Sequence, residues 1–101
     1  MKLTYWSSPI IKKRHYTKMI NDVCEKYKVT IEQLSVKDRS RKYNEPRSII
    51  CYLLRENYGW TLLRISNVFN RGHATIIHHH KKVGGLMDVD KNYNELINSF
   101  T

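Results

Sequence analysis

Residues Thr61 to Val83 read TLLRISNVFNRGHATIIHHHKKV, two helical patterns separated by a break. Thr61 is suited to cap the first pattern, because its hydroxyl can accept a bond from an unpaired amide of the first turn. Leu62, Ile65 and Phe69 recur at helical spacing with Val68 beside them, which gives that helix one apolar face. Asn70, Arg71 and Gly72 interrupt the repeat, and Gly72 is the residue best able to take a positive φ in a tight connection. In the second helix Ile76, His80 and Val83 are expected to line the core side with Ile77 adjacent, leaving Thr75, His79 and Lys82 opposite. Helix, tight turn, helix is the order of a helix-turn-helix, whose second helix can offer a polar side to base edges and phosphates in a DNA major groove.

Outward from this pair the chain reads as all-α. Residues 1–16 mix aromatic, basic and proline residues without a clear period and form an arm or irregular lead-in, with Tyr5, Trp6 and Tyr16 available to cover a core edge. Thr17 is placed to cap a helix carrying Ile20, Val23, Cys24 and Tyr27 that ends near Lys28. Thr30 can cap a short helix containing Leu34, and the basic loop SVKDRSRKYNE (residues 35–45) follows. Pro46 sits where a first helical turn tolerates proline, and Ile49, Ile50, Leu53 and Leu54 then form the stripe of a central helix ending near Tyr58 and Gly59. Gly84 and Gly85 are expected to end or loosen the second helix of the pair, since each costs about 1 kcal/mol of helix stability relative to alanine. Val89, Tyr93, Leu96, Ile97 and Phe100 supply a closing amphipathic helix.

At 101 residues the chain should form one domain with a modest core. Its formal net charge of +9 is localised: residues 1–18 hold five Lys or Arg and no acid, residues 37–47 hold five against two acids, and residues 84–101 are net acidic. Clustered cations suit a polyanion, because counterions displaced from a phosphate backbone drive binding; a solvated basic surface is the plainer reading of the same charge. No stretch approaches the roughly 18 apolar residues of a spanning helix, and the N-terminus lacks an apolar core of signal-peptide length. Cys24 and Cys51 lie in apolar helical patterns without a close Cys or His partner and read as reduced core residues of a cytoplasmic protein.

From about Ile20 to Phe100 the sequence resembles the C-terminal DNA-binding domain of the bacterial replication initiator DnaA. The resemblance rests on Tyr27, Val29, Ile31 and Leu34, then KDRSRKYNEPRSI (37–49), YLLRE (52–56), TLLRISNVF (61–69) and RGHATIIHHHKKV (71–83), in the family's order. It implies an all-α fold of about five to six helices, Trp-repressor-like, with residues 1–18 as a basic lead-in and 19–101 as the helix-turn-helix domain. It also implies roles for single residues. Arg39, with Arg41 beside it in the basic loop, matches an arginine that enters the minor groove, where a narrow A·T tract attracts a cation. Arg47 and Arg55 match basic residues that approach DNA, and Ser48 stands where the family has glutamine. Thr61 and Leu62 open a helix whose amides can hold a phosphate. Arg71, His73, Ala74 and Thr75 match the base-reading start of the recognition helix, with His79, Lys81 and Lys82 further along it. Two departures bear on specificity: Gly72 replaces the signature's aspartate and Ala74 its first threonine, which removes a potential acceptor for cytosine and moves a methyl that can touch thymine.

Catalytic and metal chemistry find little footing. Consecutive His78, His79 and His80 point in three directions on a helix, whereas helical metal ligands favour i and i+4. No GxxxxGK[ST] loop, Ser-His-Asp set or carboxylate pair stands out, so neither the initiator's ATPase motor nor any cofactor is expected. The expected partner is double-stranded DNA at the nucleoid, with replication-initiation proteins as further partners. A small transcriptional regulator, or a replication-machinery interaction protein with weak DNA contact, are the other readings.

Overall fold

Helix boundaries in this chain follow from a few side-chain-to-backbone bonds. The computed structural model describes residues 15–35 and 41–100, Arg41 by its backbone alone, and contains six α-helices and no strand among them. Helix α1 spans Tyr16–Tyr27 and is capped by His15, whose Nδ1 accepts from the Thr17 amide at 3.2 Å, so Thr17 lies inside the first turn and is not the cap. Lys28, at φ 56°, closes α1 in the left-handed conformation, with the Val29 amide donating back to the Cys24 carbonyl. Helix α2 (Ile31–Ser35) opens with a reciprocal box: Thr30 Oγ1 accepts from the Gln33 amide and Gln33 Oε1 from the Thr30 amide.

Helix α3 runs Arg41–Tyr58 and begins five residues before Pro46. The proline removes one rung of the hydrogen-bond ladder. Tertiary contacts hold the extra turn, because Tyr43 packs on the core and Glu45 accepts from the Tyr93 hydroxyl at 3.3 Å. Gly59, at φ 66°, ends α3 and lets the Trp60 amide donate to the Leu54 carbonyl. Helices α4 (Leu62–Phe69), α5 (His73–Val89) and α6 (Lys91–Asn98) complete the chain, with Asp90 capping α6 through the Tyr93 amide. Helix α5 continues through Gly84 and Gly85; a Cβ at Gly84 would stand in ordinary contact with the Tyr52 ring of α3, whereas Gly85 faces open space. Val89 is therefore the last residue of α5 and is 82% exposed, outside the closing amphipathic helix.

Helix α3 is central and packs most extensively on α5, with α1 and α2 on other sides of it. Ile49, Ile50, Leu53 and Leu54 of α3 meet Met19 and Val23 of α1, Leu34 of α2, Ile65 and Phe69 of α4, Ile76 and Val83 of α5 and Ile97 of α6 in one core. Cys24 and Cys51 are buried and unbridged, and burial pushes the Cys51 thiol up to about 12 despite the opposing influence of Arg47 and Arg71. No described helix is long and apolar enough to cross a membrane.

Candidate nucleic-acid interface

The turn between α4 and α5 sets the direction of the second helix. Asn70, not Gly72, takes the left-handed conformation, at φ 53°, while Gly72 is an extended N-cap at φ −73°. Asparagine tolerates this region because its short polar side chain can bond locally. Arg71 closes the end of α4: its amide donates to the Ser66 carbonyl, and its Nη1 reaches the Phe69 and Asn70 carbonyls at 3.2 and 3.3 Å. Thr61 caps α4 as expected, accepting from the Arg64 amide at 3.1 Å. Arg64 lies over the Trp60 ring, 3.6 Å from its centroid, a cation–π contact that fixes a basic group beside the start of α4.

Rotation of α5 about its axis differs from the sequence expectation by one histidine. Ile76, His79 and Val83 form the buried side, whereas His80 is half-exposed. On the facing side of α3, Ser48, Tyr52 and Glu56 recur every four residues. Ser48 Oγ meets His79 Nδ1 at 2.6 Å, the Tyr52 ring stacks on His80 at 5.1 Å, and Glu56 Oε2 meets His80 Nε2 at 2.8 Å. Burial, reinforced by the nearby charges of Arg47, Lys82, His78 and Arg71, lowers His79 to about 4, so its ring is neutral near pH 7. Ser48 and His79 are thus interior groups and not surface contacts. Arg47 is likewise interior, at 1% exposure, and its Nε donates to the Leu34 carbonyl at 2.8 Å, tying α3 to the last turn of α2.

Steps of 100° along α5 place Ala74, His78, Lys81 and Gly85 opposite the buried side, and all four are exposed or, for the glycine, open. His73, exposed at the first position of the helix, and Ile77 flank this face on one side; Thr75 and Lys82, both half-buried, flank it on the other. Between His73 and Val83 the helix carries no acid. Arg55 is exposed at the end of α3, with Nη1 donating to the Trp60 carbonyl, and Leu62 is half-buried at the start of α4. Arg39 lies outside the described residues, as does the Arg41 side chain. His78 and Arg64 are the exposed residues at this face that sequence reasoning did not assign; the signal for His78 was its spacing of four from Ala74. Beside the turn, Asn44, Arg47, Asn70, Arg71, Gly72, Thr75, His78 and His79 line a cavity of about 590 Å³.

The bacterial dnaA protein helix-turn-helix model matches residues 16–83, from the first turn of α1 to the middle of α5. The chain belongs to this DnaA helix-turn-helix family. It is 26% identical over 81 residues to the chromosomal replication initiator protein DnaA of Mycoplasma pneumoniae, covering 80% of this chain and 18% of that protein. Identity is 30% to DnaA 1 of Chlamydia pneumoniae, covering 78% of this chain and 20% of the relative, and 32% to DnaA of Thermoanaerobacter sp., covering 69% and 16%. The chain spans about a fifth or less of the length of these initiators. The matched stretch includes α4, the turn and the first two-thirds of α5. The α5 region includes His79 and Ser48's partner contact, which together give this DnaA-type domain a polar link inside its α3–α5 interface.

Proposed function

We propose that this chain is a sequence-specific reader of double-stranded DNA, acting in replication initiation or its regulation. The observation that supports it most directly is the stretch of α5 from His73 to Val83, which carries no acid: there Ala74, His78 and Lys81 stand opposite the packed side and His73 opens the helix. In this reading the start of α5 enters the major groove. His73 and Thr75 offer hydrogen-bonding groups to base edges, and the Ala74 methyl suits the methyl of a thymine. Lys81, Lys82, Arg55 and Arg64 neutralise backbone phosphates, and the amide end of α4 at Thr61 and Leu62 takes another. Arg39 reaches the neighbouring minor groove from the basic segment before α3, with Arg41 beside it. Binding alone suffices for regulation: a bound domain occupies initiator-type sites at the nucleoid without opening them, and replication-initiation proteins are its natural neighbours there. No step in this role calls on a cofactor or on catalysis.

Selection of duplexes from a random pool, followed by a salt titration on the winners, tests the reading. An enriched motif and a log-log salt slope of several units are expected, since each neutralised phosphate contributes about −0.9. A pool that yields no motif removes the specificity. Binding that is absent or insensitive to salt turns the assignment toward a protein-interaction module.

A further inference from the structure

The basic stretch that leads into α1 is a sequence feature that neither the core nor the face of α5 absorbs. Residues 1–14 hold Lys2, Lys12, Lys13 and Arg14 and no acid, and the last three of these cations are consecutive. Residues 1–14 lie outside the described residues, and covalent geometry alone ties them to His15: at no more than about 3.6 Å per residue, Lys12 stays within about 11 Å of it. His15 caps α1, its ring lies 4.3 Å from that of Tyr16, and the Tyr16 ring meets Trp60 edge-on at 5.0 Å. Trp60 immediately precedes Thr61, the cap of α4. Arg64 reaches both rings, its Cζ 3.6 Å from the Trp60 centroid and 5.7 Å from that of Tyr16, and Arg55 donates to the Trp60 carbonyl at 3.1 Å. One corner of the domain therefore joins the start of α1, the amide end of α4 and two guanidinium groups, whose contacts there are with neutral groups.

The direction of α1 separates this corner from the acidic part of the molecule. At the other end of the helix burial and the charge of Glu45 both push the Tyr27 hydroxyl up, and the same Glu45 accepts from Tyr93 of α6, so the net acidic residues 84–101 gather toward that end. The 12 residues of α1, at 1.5 Å each, put about 18 Å between the two ends. We propose that Lys12, Lys13 and Arg14 extend the DNA contact of this domain along the phosphate backbone, past the phosphate taken at the start of α4, and so hold a flank of the duplex that the helix-turn-helix does not cover. The inference rests on the DNA-binding reading above. The contact is electrostatic: adjacent cations follow successive phosphates, each displaces counterions, and none reads a base. Because the stretch joins the domain at one corner, the added contact lies on one side only of the sequence that α5 reads.

The test compares the parent chain with Lys12→Gln/Lys13→Gln/Arg14→Gln in salt titrations on a selected duplex that carries about ten base pairs beyond the site on each side, and on the same duplex trimmed from either end. The variant should bind about tenfold or more weakly at near-physiological salt, with a log-log slope shallower by about 2 to 3, at about 0.9 for each lost phosphate contact. Its discrimination between the selected site and a mutated one should equal that of the parent, which separates this loss from the loss of a base reader. Trimming one flank should erase the difference between variant and parent, and trimming the other should preserve it. The parent alone should show the same asymmetry, weakening when one flank is removed and not the other, a result that does not depend on how the variant folds. Charge-preserving Lys12→Arg/Lys13→Arg/Arg14→Lys should bind like the parent; a loss shared by both variants marks a packing role and overturns the inference. Equal affinities and salt slopes for the parent and the glutamine variant overturn it as well and leave the DNA-binding reading standing, as does a loss that persists on a duplex trimmed at both ends. A parent that binds no duplex removes that reading and this inference with it.

Discussion

The two sides of α5 carry similar residue types and do opposite work. Its inner side holds Ile76, His79 and Val83 against α3, and its outer side holds Ala74, His78 and Lys81 toward solvent. The contrast is sharpest in the three adjacent histidines. His78 is exposed, His79 is buried and tied to Ser48, and His80 bridges an aromatic ring and a carboxylate at the rim. Chemically identical side chains thus receive an exposed position, an interior polar contact and an edge contact from steps of 100°. Function follows from position on the helix, and the inner side exists to hold the outer one at a fixed angle.

If that division is sound, truncating the inner side should cost stability most. Ile76→Ala should destabilise the domain by about 2–5 kcal/mol in urea unfolding, because a fully buried side chain leaves a cavity; a cost below about 1 kcal/mol would mean α5 is not docked as described. Acid should attack the same side. His79 is held at about 4 when folded against a usual 6.5, so the unfolded chain binds the proton first. Its contribution is complete above about pH 6.5 and is lost as pH falls toward 4, a total of roughly 3 kcal/mol. The portion between pH 6.5 and 5, before carboxylates titrate, should flatten in His79→Leu; an unchanged slope there would assign the acid sensitivity elsewhere.

The outer side should respond in binding and not in stability. His73→Ala is expected to erase about 1–3 kcal/mol of discrimination between the selected site and a mutated one while leaving the melting temperature near that of the parent. Lys81→Ala should weaken all duplexes alike and lower the salt slope by about 1. If the two variants behaved identically across duplexes, the separation into base readers and phosphate contacts would fail. The rim should matter least: Glu56→Gln breaks a pair whose side chains are 32% and 48% exposed, and should change stability by at most about 1 kcal/mol.

Local signals in the sequence fared well in most places, with Thr17 (inside the first turn, capped by His15) and Gly72 (extended, with Asn70 left-handed) as exceptions. The Thr30 cap, the Thr61 cap, the Gly59 stop and the 49-50-53-54 stripe all rest on residues within six positions of one another, and all recur in the structure. Features that depended on distant residues were misread. The extra turn of α3 ahead of Pro46 meets Tyr93 of α6, and Gly84 of α5 sits against the Tyr52 ring of α3. The choice of His79 over His80 as the buried histidine was equally hidden, since spacings 76-79-83 and 76-80-83 are both helical. Ser48 on another helix made that choice by offering a hydrogen bond. The resemblance assigned Arg47 as a basic residue approaching DNA; its burial and its carbonyl partner at Leu34, in another element, were not legible in the sequence.

The sequence by itself determined that the chain is helical, basic and built around a helix-turn-helix of the DnaA family, because periodicity, capping residues, charge and motif order are properties of neighbours along the chain. Tertiary structure alone decided which way α5 is turned and what its histidines do. Rotation of a helix about its axis is set by the surface it packs on, and here that surface is the Ser48, Tyr52 and Glu56 line of α3. It buries His79 against Ser48 and leaves Ala74, His78 and Lys81 facing out.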